Sequence, residues 1–259
     1  MGSGRLPRLR RSMAGTAVSG RLAWRVARLA EIRQETPTAR TLVFDIPGWP
    51  GHLAGQHVDV RLTAADGYTA QRSYSLAAPA NGDRIELTVQ RVADGEVSEH
   101  LTGPYAIGDP VEIRGPIGGW FVWRPADTAP VLLVAGGAGI VPLMAMIRAR
   151  REAGSKALFR LVYSLRTPEE LYYAAELRRP YAGLDITYVY TRELPEGQSG
   201  IPRRIDVPTL NTAAWPADFG ATTYICGPTG FVETAADIML ALGHSPQSIR
   251  TERFGPSRD

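Results

Sequence analysis

Five consecutive residues, Arg72-Ser-Tyr-Ser-Leu76, carry side chains that suit a phosphorylated ligand. Arg72 offers a guanidinium for a phosphate, Tyr74 offers a ring for a flat ligand, and Ser75 offers a hydroxyl. In an extended strand Arg72 and Tyr74 share one face and Ser75 lies on the other, so a bend is needed to bring all three to one ligand. An aromatic residue among small polar ones is also ordinary strand composition, so the pentapeptide alone leaves both interpretations open.

A glycine-rich turn follows an apolar strand later in the chain, in the segment Val131-Leu-Leu-Val-Ala-Gly-Gly-Ala-Gly-Ile-Val-Pro142. Glycines let the backbone approach a pyrophosphate, and the N-terminus of the following helix supplies N–H donors. Pro142 suits the first helical turn, although it stands where the G-x-G-x-x-G fingerprint has its last glycine. The segment predicts a dinucleotide-binding turn, with a plain strand-to-helix connection as the alternative.

Polar residues follow the next two predicted strands. Ser164 and Arg166 come directly after the strand at 158–163, and no acid appears before Glu169. An acid at this place usually binds the ribose 2′-OH, whereas a hydroxyl and a guanidinium suit a 2′-phosphate. Arg192, just past the third strand, adds a second cation. These residues favour NADPH over NADH, and surface arginines at strand ends are the alternative.

Two shorter motifs mark further strand and helix ends. Cys226-Gly-Pro228 follows a strand, at the carboxyl edge where such sheets bind ligands. No histidine partner is evident that would make Cys226 a nucleophile, so we interpret it as a small polarizable group beside a flat ring; a buried structural cysteine is the alternative. Gly95-Glu-Val-Ser98 opens a helix and predicts a second anion site, unless Ser98 is a simple N-cap.

The elements that must position these motifs fall into two groups. Short strands separated by turn signals predict an antiparallel β-barrel, with one helix inside it at 97–101. The strands are expected at 24–32, 39–46, 57–62, 73–76, 85–91 and 110–114. Beyond a linker at 125–130, buried strands alternate with helices, which predicts a doubly wound parallel sheet. Those strands are expected at 131–135, 158–163, 186–190, 222–226 and 248–254, and the helices at 142–152, 168–178 and 229–242.

Composition narrows the class of protein. The 259 residues carry a net charge of +3, and every charged side chain before Glu31 is an arginine. We expect residues 1–20 to form a disordered basic head, an arm for nucleic acid or an anionic partner being the alternative. The single cysteine excludes an intrachain disulfide and a cysteine-ligated iron–sulfur cluster, and we expect no metal site. No apolar run predicts a membrane span, so we expect a cytoplasmic monomer, from a GC-rich bacterial genome by its arginine usage.

In order and spacing, five motifs resemble the ferredoxin–NADP⁺ reductase superfamily, and the likeness is greatest to reductase components of bacterial oxygenases. They are Arg72-Ser-Tyr-Ser75, Gly95-Glu-Val-Ser98, Gly115-Pro-Ile-Gly118, Gly136-Gly-Ala-Gly-Ile-Val-Pro142 and Tyr224-Ile-Cys-Gly-Pro228. The resemblance implies a six-stranded antiparallel β-barrel that binds FAD, over residues 21–125. It also implies an NAD(P)-binding α/β domain over residues 126–259.

The resemblance implies roles for individual residues. Arg72 would contact the flavin phosphate, Tyr74 would pack against the isoalloxazine or ribityl chain, and Ser75 would hydrogen-bond near flavin N5. Cys226 would lie beside the nicotinamide, Glu252 would supply a proton and Phe254 would cover the ring. The remaining FAD-binding residues implied are Ser73, Gly95, Val97 and Ser98. The remaining NAD(P)-binding residues implied are Gly137, Gly139, Ile140, Pro142, Ser164, Arg166, Arg192, Gly227 and Pro228.

The implied activity is hydride transfer from NADPH, or NADH, to FAD. Because one cysteine cannot hold the [2Fe–2S] cluster that many oxygenase reductases carry, electrons are expected to leave for a separate ferredoxin-like, haem or oxygenase protein. A flavin reductase or diaphorase with a small-molecule acceptor is the alternative within the family. A non-enzymatic subunit that keeps the fold, a nucleic-acid binder led by the basic head, and FMN in place of FAD are the other readings left open.

Overall fold

A computed structural model describes residues 22–255 of the chain. The basic head predicted at 1–20 lies outside the described residues. The first six strands form one antiparallel sheet in the order β4-β3-β6-β1-β2-β5. Their bounds are β1 Trp24–Thr36, β2 Ala39–Asp45, β3 His57–Thr63, β4 Thr69–Ser75, β5 Arg84–Gln90 and β6 Pro110–Ile117, with helix α1 at Glu96–Thr102. An antiparallel bridge between Leu76 and Leu87 joins the end of β4 to β5, which closes the sheet into the predicted barrel.

The second half forms a parallel sheet in the order β11-β10-β7-β8-β9, with helices on both faces. Its strands are β7 Val131–Gly136, β8 Phe159–Leu165, β9 Leu184–Tyr190, β10 Thr222–Pro228 and β11 Ile249–Phe254. Its helices are α2 Ile140–Glu152, α3 Ala174–Leu177, α4 Val207–Ala213 and α5 Thr229–Ala241. The chain builds β7, β8 and β9 outward in one direction and then returns to place β10 on the other side of β7. The topological switch point therefore lies between β7 and β10, where open α/β sheets bind ligands.

One helix prediction is wrong, and one helix was not predicted. The helix expected at 168–178 is broken into a 3₁₀ turn at Pro168–Glu170 and the single α-helical turn α3. The break comes at Tyr173, whose backbone is left-handed with φ of 55°, and contacts with the barrel hold it there. Helix α4 was not predicted, although Asp206 caps it by accepting from the Thr209 amide at 2.9 Å and Pro208 lies in its first turn.

The hydrophobic core runs through both halves. One cluster fills the barrel and another lies on the far face of the parallel sheet. A third cluster joins the barrel residues Ala54, Ala77 and Trp123 to Met144 of α2 and to Tyr173. Helix α2 is buried from Ile140 to Arg150 because it is packed between the parallel sheet and the barrel. No helix among residues 22–255 combines the length and apolar character that crossing a membrane requires.

Candidate functional site

The switch point brings the glycine turn and the cysteine motif side by side. Strands β7 and β10 pair in parallel with Ala135 opposite Cys226, so the turn after β7 lies beside Cys226. A Cβ atom added to Gly139 would lie 2.0 Å from the Cys226 carbonyl oxygen, which explains why glycine is required there. Gly137 has φ of +53° and no atom within 4 Å of its Cβ position, so there is open space at the tip of the turn.

The end of barrel strand β4 lies near the same edge of the parallel sheet, and we call the boundary between Ser75, His57, Cys226 and Glu252 the cleft. Ser75 is buried and lies opposite His57 on the neighbouring strand β3. Arg72 and Tyr74 lie on one face of β4: Arg72 is exposed and donates to the Gln71 carbonyl at 2.7 Å, whereas Tyr74 packs against the barrel core. Burial raises the pKa of the Tyr74 hydroxyl, and the Arg72 charge opposes this.

The last strand, β11, carries Glu252 to the boundary between the halves. Glu252 pairs in register with Cys226 of β10, and its Oε1 lies 3.7 Å from His57 Nδ1. The structure therefore brings Ser75, Cys226 and Glu252 to one cleft, and it adds His57, which sequence reasoning missed. A register shift between β3 and β6 falls between His57 and Asp59, and such bulges redirect side chains near sites.

Burial sets the protonation of the cleft. It raises the pKa of Glu252 to about 7, far above the ordinary 4.5. Burial, together with the nearby Glu252 charge, raises the pKa of Cys226 well above its usual value, so Cys226 is a neutral thiol at neutral pH. The pKa of His57 is lowered by burial, which the Asp59 charge partly opposes. Glu252, with its pKa of about 7, is therefore a group in the cleft that exchanges a proton near neutral pH.

Two polar atoms of the cleft have no hydrogen-bond partner among the described residues, namely Ser75 Oγ and Glu252 Oε2. A buried polar atom without a partner is costly, and a bound ligand is one way to satisfy it. Similar atoms occur in the cores of the two halves, for example Thr223 Oγ1 and Trp123 Nε1. In the cleft the two atoms are connected through their neighbours: Ser75 lies opposite His57, whose Nδ1 is 3.7 Å from Glu252 Oε1, and Glu252 pairs with Cys226 beside the glycine turn. The residues present therefore fit a flavin with a nicotinamide beside it.

Other predicted flavin-binding side chains are engaged within the protein. Ser73 donates to Asp59 Oδ1 at 2.7 Å, on the face opposite Arg72. Val97 is buried in the barrel core, which leaves only its backbone amide for a phosphate. Ser98 is not the N-cap of α1: Gly95 is, and the Ser98 hydroxyl accepts from the Val92 amide and donates to the Gly95 carbonyl. Since no side chain caps α1, its first amides remain available to an anion.

The three residues predicted to bind a 2′-phosphate lie at the carboxyl ends of β8 and β9. The Arg192 amide donates to the Arg166 carbonyl at 3.0 Å, so the two arginines are neighbours, and Ser164 is buried at the end of β8. The Arg166 guanidinium, however, already pairs with Glu170 at 2.6 Å. An exposed pair of this kind is weak, about 1 kcal/mol or less, so a phosphate can displace Glu170.

The remaining predicted residues lie at the carboxyl ends of β7, β10 and β11. Ile140 and Pro142 are buried in the first turn of α2, and Phe254 lies opposite Pro228 at the end of β11. Phe231 was not predicted to lie here. A Cβ atom added to Gly136 or Gly227 would lie only 2.7 or 2.9 Å from the Phe231 ring. The glycine at 227 therefore makes room for this ring. Among the described residues, no group of His, Cys, Asp and Glu side chains is arranged to hold a metal ion.

Comparison with known proteins agrees with this arrangement. Residues 26–122 match the family model described as "Oxidoreductase FAD-binding domain", and residues 133–237 match "Oxidoreductase NAD-binding domain". The chain is 31% identical over 239 residues to the ferredoxin reductase component of 3-ketosteroid-9-alpha-monooxygenase from Mycolicibacterium smegmatis, covering 87% of this chain and 64% of that protein. It is 29% identical to the glycine betaine monooxygenase reductase subunit of Chromohalobacter salexigens, covering 88% and 63%. The chain thus spans just under two thirds of these curated relatives.

Solved structures share the fold. The cytochrome P450 reductase GcoB of Amycolatopsis superposes with a TM-score of 0.76 at 27% identity, covering 93% of this chain and 74% of that one. The FAD/NAD binding domain of nitric oxide dioxygenase from Vibrio cholerae gives 0.79 at 24% identity, covering 90% and 99%. Fold, ordered motifs and both domain matches agree. The chain belongs to the ferredoxin–NADP⁺ reductase superfamily of FAD- and NAD-binding oxidoreductases.

Proposed function

We propose that this chain transfers a hydride from NAD(P)H to FAD and delivers the electrons to a separate redox protein. The observation that carries the proposal is the pair of partnerless atoms, Ser75 Oγ and Glu252 Oε2, beside the open turn at Gly137. The barrel supplies the first atom and the parallel sheet the second. A ligand that spans both halves satisfies both, as a flavin stacked with a nicotinamide does.

When bound, FAD supplies the redox chemistry by accepting a hydride and releasing its electrons. The chain supplies binding and orientation. Exposed Arg72 binds a flavin phosphate, the uncapped amides at the start of α1 bind the pyrophosphate, and Tyr74 packs along the flavin. Ser75 donates a hydrogen bond to the ring edge, Cys226 packs as a neutral thiol beside the nicotinamide, and Phe254 covers the ring. Glu252, with its pKa near 7, holds or releases a proton at the cleft.

For the dinucleotide we propose binding at the Gly137–Gly139 turn, with NADPH preferred to NADH. Arg166 and Arg192 are adjacent at the strand ends and supply two cations for a 2′-phosphate. The competing Glu170 reduces that preference. We further propose that residues 21–125 are the FAD-binding domain and residues 126–259 the NAD(P)-binding domain, a boundary that falls between the two matched ranges.

The acceptor we propose is a ferredoxin-like, haem or oxygenase protein. Three of the similar proteins named above are reductases or reductase components of monooxygenases or of a cytochrome P450, and the single cysteine of this chain cannot hold an iron–sulfur cluster by itself. The arginine-rich residues 1–20 would dock an acidic carrier. Carrier reduction whose rate and salt dependence are unchanged after deletion of residues 1–20 would contradict that docking role.

An anaerobic titration with NADPH and NADH in parallel, read at the flavin absorbance, tests the function. We expect a yellow protein that bleaches, faster with NADPH. A protein that binds no flavin after reconstitution would contradict the proposal. Comparing steady-state rates with ferredoxin and with free flavin as acceptor separates an electron-transfer role from a flavin reductase.

Arg72→Ala should raise the dissociation constant for FAD about tenfold or more, since a charged hydrogen bond contributes about 1.5–3 kcal/mol. Arg84→Ala is the matched control, because Arg84 is an exposed arginine on β5 that pairs with Asp45.

A further inference from the structure

A buried arginine on helix α2 joins the two halves of the molecule. Arg148 is only 7% exposed, and its Nη1 donates to the Ala77 carbonyl at 2.9 Å and to Glu86 Oε2 at 3.2 Å, both in the barrel. On the other side its Nε donates to Glu176 of α3 at 3.2 Å. Its guanidinium also lies 4.9 Å from the centre of the Tyr173 ring. All its contacts are thus divided between the barrel and the α/β half.

One of the barrel atoms that Arg148 contacts, the Ala77 carbonyl, lies just after strand β4, which carries the proposed flavin-binding residues. Ala77 comes two residues after Ser75, and its own amide donates to the Glu86 carbonyl at 2.8 Å. The Ala77 backbone is therefore held at both of its polar groups: Arg148 binds its carbonyl, and strand β5 accepts from its amide. Burying these charges is tolerable only because each is matched, since an unpaired buried charge is strongly destabilising.

Tyr173 fixes the same junction from the α/β half. Its hydroxyl donates to Thr88 Oγ1 at 2.5 Å, and its amide donates to Glu35 Oε2 at 3.1 Å, so two barrel strands hold it. These contacts hold Tyr173 in the left-handed conformation, which costs a non-glycine residue about 1–3 kcal/mol. The junction around Arg148 is therefore rigid on both sides.

Helix α2 transmits this anchoring to the dinucleotide turn. It begins at Ile140, directly after Gly137–Gly139, and Arg148 lies eight residues later, about 12 Å along a rigid helix. We propose that Arg148 is a positioning residue for hydride transfer, which sets the spacing between the glycine turn and the end of β4. The inference rests on the proposed function, because it concerns the gap in which the two rings meet. Reacting atoms must approach to about 3–3.5 Å, and an error of about 1 Å can cost a hundredfold in rate.

Arg148→Lys tests the proposal, with Arg150→Lys as the matched control. Arg150 is another buried arginine of α2, but it donates to Ala157 and Ala182 carbonyls within the α/β half. In Arg148→Lys we expect full flavin content, loss of the long-wavelength absorbance of a nicotinamide stacked on flavin, and a single-turnover hydride transfer rate about 10–100-fold lower. NADP⁺ affinity should change less than threefold. Arg150→Lys should keep the absorbance and the rate, even if its melting temperature falls as much as that of Arg148→Lys.

A measurement that needs no flavin separates this proposal from the function it rests on. Hydrogen exchange of the amides at 76–78 should quicken in Arg148→Lys and not in Arg150→Lys, in stripped protein as well as loaded protein. Glu86→Gln, which removes the carboxylate charge that Arg148 and Arg33 share on the barrel side, should shift exchange and rate in the same direction by a smaller factor. Equal effects of Arg148→Lys and Arg150→Lys, or a normal absorbance and rate in Arg148→Lys, would overturn the proposal. A wild-type protein that binds no flavin would overturn the function while leaving the exchange result to stand.

Discussion

The two halves of the molecule meet at two polar places that differ in how their side chains are satisfied. At the Arg148 junction the polar side chains have partners: Arg148 bonds to Glu86 and Glu176, and the Tyr173 hydroxyl bonds to Thr88. At the cleft, Ser75 Oγ and Glu252 Oε2 are buried without a partner among the described residues. The difference teaches that the junction is complete as a protein structure, whereas the cleft keeps polar atoms that a bound ligand would satisfy.

This contrast has an energetic consequence. Removing one member of a satisfied buried network leaves the others unpaired and lowers stability. Removing an atom that already lacks a partner costs the folded protein little, and can even stabilise it. Substitutions at the junction should therefore lower stability first, and substitutions in the cleft should lower activity first.

The largest expected effect is on the pH dependence of stability, through Glu252→Gln. The folded-state pKa of Glu252 is about 7 and the ordinary value is 4.5, so the folded protein binds the proton more tightly than the unfolded chain. Stability should therefore fall as pH rises from about 4.5 to 7 and level off above, by about 3 kcal/mol. Urea unfolding of wild type and Glu252→Gln between pH 4.5 and 8 measures this difference. If the free energy of unfolding of wild type depends on pH no more steeply than that of the variant, Glu252 does not titrate near pH 7.

Next in size is Ser75→Ala. A lost hydrogen-bond donor at a reacting centre costs about 100-fold in rate, so single-turnover hydride transfer should slow by about that factor while FAD content stays the same. Stability should not fall, because the hydroxyl has no partner to lose. Thr223→Val is the control, since Thr223 Oγ1 is also buried without a partner but lies within the parallel sheet. Equal rates in the two variants would show that Ser75 does not contact the reacting ring.

Tyr173→Phe tests the junction in the opposite sense. It removes the hydrogen bond to Thr88 and should lower the free energy of unfolding by about 1–2 kcal/mol. Tyr188→Phe is the control, because the Tyr188 hydroxyl is only half-buried and donates to Leu177 at a long 3.4 Å. Its loss should cost less than about 0.5 kcal/mol in the same urea experiment. Indistinguishable unfolding midpoints would place Tyr173 outside the network that joins the halves.

The smallest effect concerns coenzyme choice. Glu170→Gln removes the carboxylate that competes for Arg166, so KM for NADPH should fall about two- to fivefold, as expected for an exposed ion pair of under 1 kcal/mol. KM for NADH should not change, because NADH carries no 2′-phosphate. An equal fall in KM for both coenzymes would mean that Arg166 does not bind the 2′-phosphate.

Local pattern was enough for the elements and motifs, but not for the contacts between them. Apolar runs and glycine turns predicted both sheets, and the switch point follows from strand order, so Gly137–Gly139 and Cys226 could be brought together from sequence. Arg148 and Tyr173 could not be predicted, because their partners lie in the other half of the chain. Their long-range contacts also explain why the predicted helix at 168–178 breaks, since local propensity is overridden there.

His57 was missed for a related reason. A lone histidine on a strand carries no local signal, and its neighbour Glu252 lies on the last strand of the other sheet. The same limit applies to Arg166, whose type and position suggested a phosphate ligand while its pairing with Glu170 became visible only in the fold. Spacing thus predicts where functional side chains gather, and the fold shows which of them already have partners.

The apolar cluster shared by the barrel and the α/β half bears on how such chains are inherited. Ala54, Ala77 and Trp123 of the first half pack in one continuous core with Met144 of the second. Each half alone would expose this surface to water, so the two halves should unfold in one transition. If diverged relatives exchanged one half, the two sides of this shared core would come from different proteins and would no longer be complementary. Natural recombination should therefore move the two halves as a pair.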